Sequence, residues 1–501
     1  MSKQPHTDGP HPRREPRIPG ELSLERMKEV FSHSADFTCR TVALGDGDEI
    51  VRICYLVGMV KSERLNDYVL RPLMQDRAVV LRGDMPLADC LEQQVLYAQA
   101  VQRRDSLDQV ALDIIDGWCA IFLPGEKTVL TVPVPTEDRR SVGQPENEPA
   151  LKGVRESFTE TLRVNTAMVR RHLRAPELRL EEHTVGRQTL TPVDVVYLDG
   201  IADPDTVARL GRGLDAMDMD GVESAGDLEE YLVDASRSPF PRMVYTQRPD
   251  RFCRGLLEGR VGLIADGIPL GWLVPATIDQ FFQTSQDRAY HWLVASAISL
   301  VRWLCALITL LVPGLYIALV TFHPEAIPAR LALSIAAAKQ EVPFSTIFEV
   351  LILLLAFEVI QEAGLRLPGP IGTTVSILGG LVVGNAAVEA HIVSPAVLIA
   401  VAIAGVAGYT QPSQDFGNAL RLWRFLLAIL ASVGGLLGLA LGCAALIIHL
   451  AGLESFGVPY LAPFTTGTQV RRGHPSLFRL PLPQMKWRDG PVHTRNRRSQ
   501  K

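Results

Sequence analysis

The chain has 501 residues, with 50 Lys and Arg against 55 Asp and Glu, a formal net charge of −5. That length accommodates two or three domains, and the charge is too mild to argue for a nucleic-acid partner. The seven cysteines include no CxxC pair and are read as buried reduced thiols, not disulfides or zinc ligands.

Residues 1–20 are polar and Pro-rich and read as disordered, with no apolar core of a signal peptide. The region after them is therefore expected to stay in the cytoplasm. Residues 21–135 form a first mixed α/β subdomain. FTCRTVAL and EIVRICYLVG read as strands. LADCLEQQVLYAQAVQRR reads as an amphipathic helix with Leu87, Cys90, Leu91, Val95, Leu96 and Ala98 on its apolar face. WCAIFLPGEKTVLTVPVP reads as two strands around a Pro-Gly turn. Residues 136–154, charged and carrying Pro and Gly, read as a linker.

Residues 155–286 form a second α/β subdomain. ESFTETLRVNTAMVRRHLR has a helix pattern and PVDVVYLDG a strand pattern. ADPDTVARLGRGL is a helix with Asp203 as N-cap and Pro204 at its first position. RPDRFCRGLLEG is a helix ended by Gly259, and RVGLIADGIPLGWLVP a hairpin turning at Asp266-Gly267. Strands alternating with helices suggest a small, at least partly parallel sheet.

Chemistry is scarce in this half. It has no Walker A loop, HExxH, GxSxG or GxGxxG after a strand, which argues against an enzyme. GDGDEI at 45–50 lacks the downstream Glu of a calcium loop and reads as a turn. Arg163, Arg170, Arg171 and Arg174 lie on one predicted helix, either as a solvated face or as a phosphate or lipid contact. No cofactor and no metal are expected.

After Asp287 the character changes. Residues 287–464 carry long apolar runs, about five of which approach the 20 or so residues of a membrane-spanning helix. The fold class is therefore an α/β soluble N-terminal region of two subdomains followed by an α-helical polytopic membrane domain, in contact with membrane lipid. The first span, about 291–320, contains Arg302, and Pro313-Gly314 predicts a kink. Residues 326–342 read as an interfacial or re-entrant amphipathic helix. Pro313, Gly314, Pro343, Gly369 and Pro370 are candidate flex points.

The span at about 345–363 holds Glu349, Glu358 and Glu362. A carboxylate at membrane depth is costly and marks a candidate site. Glu349 lies near the helix start, where the dipole and headgroup water favour it, and Glu362 is spaced to pair with Arg366. Glu358 has no local partner and either lines a polar cavity or makes a buried structural hydrogen bond. Asn385 and Glu389 are further polar candidates in the next run. Gly380 with Gly384, and Gly434, Gly438 and Gly442, have the GxxxG spacing that lets helices approach closely. TQPSQDFGNALRLWR reads as a polar loop with Arg421 and Arg424.

Five spans would place the basic tail, residues 465–501, opposite a cytoplasmic N-terminus, against the positive-inside tendency. Four spans, with 371–391 or 395–411 re-entrant, or SFGVPYLAPF dipping back, return both termini to the inside. The tail suits anionic headgroups or simple solubilisation.

Several stretches in order resemble the A subunit of bacterial spore germinant receptors, the GerA family: ESFTETLRVNTAMVRRHL, VVYLDGIADPDTV, RPDRFCRGLLEGRVGLIADGIPLGWLVPATIDQFFQ, LYIALVTFHPEAIPARLALSIAAAKQEVPF, FEVIQEAGLRLPGPIGTTVSILGGLVVGNAAVEAHIVSPA and SFGVPYLAPF. The resemblance implies a multi-pass protein of the endospore inner membrane with its soluble part facing the spore core. It implies a transporter-like B subunit and a lipoprotein C subunit as partners, with nutrients such as amino acids or sugars bound mainly by the B subunit. It also implies a homo-oligomer, a pentamer in the family, acting as a ligand-gated ion channel, in a receptor that triggers release of ions and dipicolinate. Two positions depart from the family pattern: Leu354 stands where another acid is usual, and Gln361 where a base is usual.

The leading reading is a non-enzymatic channel or signal-transducing subunit. The alternatives are a secondary transporter acting alone, an inert scaffold subunit, and a membrane enzyme using Glu358 or Glu389 as base with His391 nearby.

Overall fold

A computed structural model describes residues 18, 20–44, 49–75, 85–96, 98, 100–136, 145, 148, 152–233, 238–366, 384–465, 478–488, 492 and 494–496. The chain forms two compact units: Met1–Asp234 with Tyr245–Val274 and Val492–Ser499, and Ala235–Val244 with Pro275–Pro491 and Gln500–Lys501.

The first unit holds two five-stranded sheets. In the first sheet the strands are β1 (Phe37–Leu44), β2 (Glu49–Leu56), β3 (Gln102–Arg104), β4 (Trp118–Phe122) and β5 (Val129–Pro133), in the order β1-β2-β4-β5-β3. Strand alternation sends neighbouring residues to opposite faces. Val51, Ile53, Cys119 and Ile121 pack under the helical segments 62–75 and 87–95. Cys54, Leu56, Ala120 and Phe122 pack under α1 (Leu24–Val30) and α2 (Leu107–Ile115). The predicted helix over LADCLEQQVLYAQAVQRR is shorter than expected: helical turns end at Val95, and Gln102–Arg104 joins the sheet edge as β3. Its apolar positions Leu87, Cys90, Leu91, Val95 and Leu96 are nevertheless buried.

Not every cysteine is the reduced thiol that the sequence suggests. Cys39 of β1 and Cys54 of β2 face each other in the antiparallel register and form a disulfide, with Cα atoms 4.2 Å apart. Pairing across a hairpin depends on register, which residue spacing alone does not reveal. Cys90, Cys119 and Cys253 are buried free thiols, and burial raises the pKa of Cys119 and Cys253 above the usual thiol range.

The second sheet comprises β6 (Leu178–Val185), β7 (Thr191–Leu198), β8 (Val244–Thr246), β9 (Val261–Ala265) and β10 (Gly271–Val274), in the order β6-β7-β9-β10-β8. Around it lie α3 (Leu162–His172), α4 (Pro204–Asp215), α5 (Ala225–Leu232) and α6 (Pro249–Leu257). Asp203 caps α4 as expected, its Oδ2 accepting from Thr206 N–H at 3.1 Å. The expected partly parallel arrangement is not found among β6, β7, β9 and β10, whose neighbours all run antiparallel. Two of the three connections are short hairpins, and a hairpin reverses the chain. The stretch read as a linker falls mostly outside the described residues.

In the second unit, α7 (Trp292–Phe322) runs through Pro313 as one helix of 31 residues. It is followed by α8 (Ala329–Gln340), which buries no residue, α9 (Thr346–Arg366), α10 (Pro395–Gly408) and α11 (Gln414–Ala451). α7 and α11 are long and apolar enough to cross a membrane. α9 has 21 residues and α10 has 14.

α11 is not straight. Gly435 has φ 58° and ψ −136°, outside helical space. The rings of Trp423 and His449 lie 5.6 Å apart, whereas 26 residues of straight helix would separate them by about 39 Å. A Cβ on Gly438 would sit 2.1 Å from the Leu430 carbonyl oxygen. α11 is therefore a helical hairpin, turning at Gly435, and both its ends lie at one end of the bundle. The arms of 21 and 16 residues measure about 31 and 24 Å. Phe322, at the end of α7, packs on the Gly435 turn.

At the other end of the hairpin, Phe281, Phe282, Trp303, Phe416 and Tyr460 form an aromatic cluster, with Phe282 and Trp303 stacked at 3.7 Å. The segment SFGVPYLAPF makes the small hairpin β11 (Glu454–Ser455) and β12 (Val458–Pro459), with Tyr460 buried in that cluster. Arg302 near the start of α7 is neutralised by Asp287, which accepts from both of its Nη atoms at 2.6 and 2.9 Å.

Candidate functional site

The three acids of α9 face different environments. Glu349 is wholly buried, and its Oε2 accepts the Ser394 backbone N–H at 2.7 Å at the start of α10. Its Oε1 has no hydrogen-bond partner among the described residues. Glu349 is thus shielded from water by α10, which runs beside α9 in the same direction. Glu349 meets Ser394, and Phe357 further along α9 meets Gly405 further along α10.

Glu358 has the partner that its own helix did not offer. Arg424 of α11 donates through Nη2 to Oε1, and Arg421 Nη1 lies 3.9 Å from Oε2. Arg424 is 2% exposed and lies over the Phe425 ring at 5.8 Å. An arginine buried this deeply in an apolar bundle requires a counter-charge, so the pair fastens α9 to the first arm of α11. Sequence pattern alone places the two arginines in a polar loop. They occupy the first arm instead, three residues apart on one face and within a turn of the apolar run FLLAILAS.

Glu362 lies on the exposed face of α9. Phe348, Ile352, Leu355 and Val359 precede it at alternating spacings of four and three, all exposed. Leu354 is buried, as is Gln361, whose Oε1 has no partner among the described residues. Asn385 and Glu389 are exposed, remote from the Glu358 pair in sequence and unlinked to it by any described bond. His391 pairs with Glu341 at 3.1 Å, not with Glu389. The Arg366 side chain and positions Gly369, Pro370 and Gly380 lie outside the described residues.

The glycines separate into two groups. Gly438 and Gly442 pack the two arms of α11 against each other, and a Cβ on Gly442 would meet Leu427 Cδ2 at 2.5 Å. Gly314 lets α7 approach α11, 3.3 Å from the Leu427 carbonyl oxygen by the same measure. Gly384 only touches Leu398, and a side chain at Gly434 would meet nothing within 4 Å. Pro343 is exposed before α9.

No group of three or more His, Cys, Asp or Glu able to hold a metal occurs among the described residues. The second unit has the features of a membrane protein: helices long and apolar enough to cross a bilayer, and a paired charge inside the helical bundle. Residues 25–490 match the model of the Bacillus/Clostridium GerA spore germination protein family. The chain is 37% identical over 446 residues to the uncharacterised membrane protein YfkQ of Bacillus subtilis, covering 88% of this chain and 85% of that one. It is 35% identical over 458 residues to spore germination protein KA of the same organism, covering 91% and 83%. It is 31% identical over 443 residues to spore germination protein GerLA of Bacillus cereus, covering 88% and 89%. Among solved structures, the N-terminal domain of the A subunit of the Bacillus megaterium spore germinant receptor GerK3 matches 51% of this chain and 94% of that domain, with 28% identity and a TM-score of 0.41. The chain belongs to the GerA family of spore germination proteins.

Proposed function

We propose that this protein is the A subunit of a nutrient germinant receptor in the endospore inner membrane, acting with a transporter-like B subunit and a lipoprotein C subunit. Its role is that of a non-enzymatic transducer, an oligomeric ligand-gated ion channel. The observation that carries the reading is the family match over residues 25–490, together with relatives named spore germination proteins along nearly their whole length. A ligand shifts a closed–open equilibrium only through its different affinity for the two states. In this reading the Glu358–Arg424 pair couples the α11 hairpin to α9, so that displacement of one moves the other.

In an oligomer, the exposed apolar face of α9 formed by Phe348, Ile352, Leu355 and Val359 would meet a neighbouring subunit or a pore. The test is monovalent-cation release from spores of a deletion strain and its parent across a nutrient panel. Loss of release for one nutrient class, restored by the gene, is expected. Normal release for every nutrient, with sister receptors also deleted, would overturn the assignment.

A further inference from the structure

A charge cluster, buried at Arg170, Asp36 and Asp194 and about one-third exposed at Arg163 and Glu182, joins the two sheets of the first unit. α3 lies between the sheets: its Ala167 belongs to the apolar cluster under the first sheet, and Gly58, after β2, comes so close that a Cβ would lie 2.9 Å from the Arg163 carbonyl oxygen. One face of α3 presents Arg163 and Arg170. Arg170 is fully buried and grips Asp36 with two bonds of 2.6 and 2.7 Å, while its Nη1 reaches the Leu178 carbonyl oxygen at 3.4 Å. Arg163 is divided between Glu182 of β6, through Nη2, and Asp194 of β7, whose Oδ2 is 3.3 Å from Nη1.

Asp194 is wholly buried, and its Oδ1 has no hydrogen-bond partner among the described residues. Two arginines therefore serve three acids: Asp36, Glu182 and Asp194. Glu182 can rely on water, but the ionised form of the buried Asp194 has only a shared arginine at 3.3 Å, and a buried charge without full compensation is strongly disfavoured. One added proton balances the cluster, leaving Arg170 with Asp36 and Arg163 with Glu182.

Two further charged residues flank this face: Asp266, just after β9, accepts the Leu162 N–H at the start of α3 at 2.8 Å, and the buried Arg260, just before β9, lies at the far end of the strand, level with Leu198. β9 carries no charged residue. Asp215 of α4 is engaged with His183, which lies opposite Val193 and so on the other face of the sheet. Glu181 is on that other face too, with Tyr197 and His33. Asp250, Arg251 and Arg254 of α6 pair with Arg248, Glu148 and Glu258.

We propose that Asp194 is a proton-binding site that sets how firmly α3 holds the two sheets together, making the joint of the soluble unit sensitive to pH. Desolvation is the main cause that pushes the Asp194 carboxyl up to about 7, opposed by Arg163. In an unfolded chain the same carboxyl titrates near 3.9. Between those values the folded protein holds a proton that the unfolded chain has lost. The contribution of Asp194 to stability is therefore complete below about pH 4 and is lost progressively as the pH rises to about 7.

The test is hydrogen exchange of the full chain in detergent micelles, corrected for intrinsic rates, between about pH 5 and pH 8. Amides of Leu162–His172 and Thr191–Leu198 are expected to lose up to about tenfold protection per pH unit, levelling off near pH 7. In Asp194→Asn the slope disappears. Arg163→Gln removes the cation that favours the ionised form, and the levelling point moves to higher pH. A wild-type protein without the slope, or an Asp194→Asn protein that keeps it, would overturn the proposal. If the Asn variant does not fold, an unmoved levelling point in Arg163→Gln overturns it instead.

Discussion

Arg424 on the first arm of the α11 hairpin donates a hydrogen bond to Glu358 on α9, and this pair joins two helices whose sequences lie 66 residues apart. It converts the most isolated acid of the membrane half into a structural tie.

Breaking this tie from one side leaves a buried charge. Glu358→Gln or Arg424→Met is expected to cost about 3 kcal/mol, and combining Glu358→Gln with Arg424→Met to cost less than the sum. Thermal unfolding in detergent measures the cycle; additive effects would mean that the two side chains do not interact.

The hairpin makes a contrast between neighbouring glycines. Gly438→Ala must push its Cβ against the Leu430 carbonyl oxygen, whereas Gly434→Ala enters open space. The first is expected to destabilise by about 1–3 kcal/mol and the second to be neutral or mildly stabilising by helix propensity. Equal melting temperatures for the two variants would contradict a folded-back α11.

Sidedness follows from the same geometry. In a cysteine-free background, Gln414→Cys and Gly452→Cys mark the two ends of the hairpin and are expected to react with a membrane-impermeant maleimide from one side of oriented vesicles. Glu325→Cys, just beyond α7 and near the Gly435 end, is expected to react from the opposite side. Labelling of positions 414 and 452 from opposite sides would show that α11 crosses once.

Within the soluble unit, Asp36→Asn removes the charge that faces a fully buried guanidinium. A loss of about 3–5 kcal/mol is expected, read as a lowered unfolding midpoint of the full chain. Asp205→Asn, on the surface of α4, serves as the comparison and is expected to shift the midpoint little.

Much of this architecture was legible because local signals coincide with it. The Asp203-Pro204 start of α4, the Asp266-Gly267 turn between β9 and β10, and the alternating β1 and β2 are all where short-range pattern places them. α2 and β6 carry no such local signal, and the single-helix pattern over 87–104 covers two elements. There the apolar spacing suits a helix through Val95, and the sheet then captures Gln102–Arg104, since edge pairing with β5 is a tertiary gain.

The family, the long apolar helices after Asp287 and the acids of α9 are legible in the chain, because apolar run length and motif order are local properties. Only the tertiary structure decided that Glu349 faces inward to Ser394, that Glu358 meets Arg424, that Cys39 meets Cys54 and that Gly435 turns α11 back. Each of these depends on which surfaces meet after the chain has folded, and a charge or thiol has no defined partner until backbone registers and helix directions are fixed.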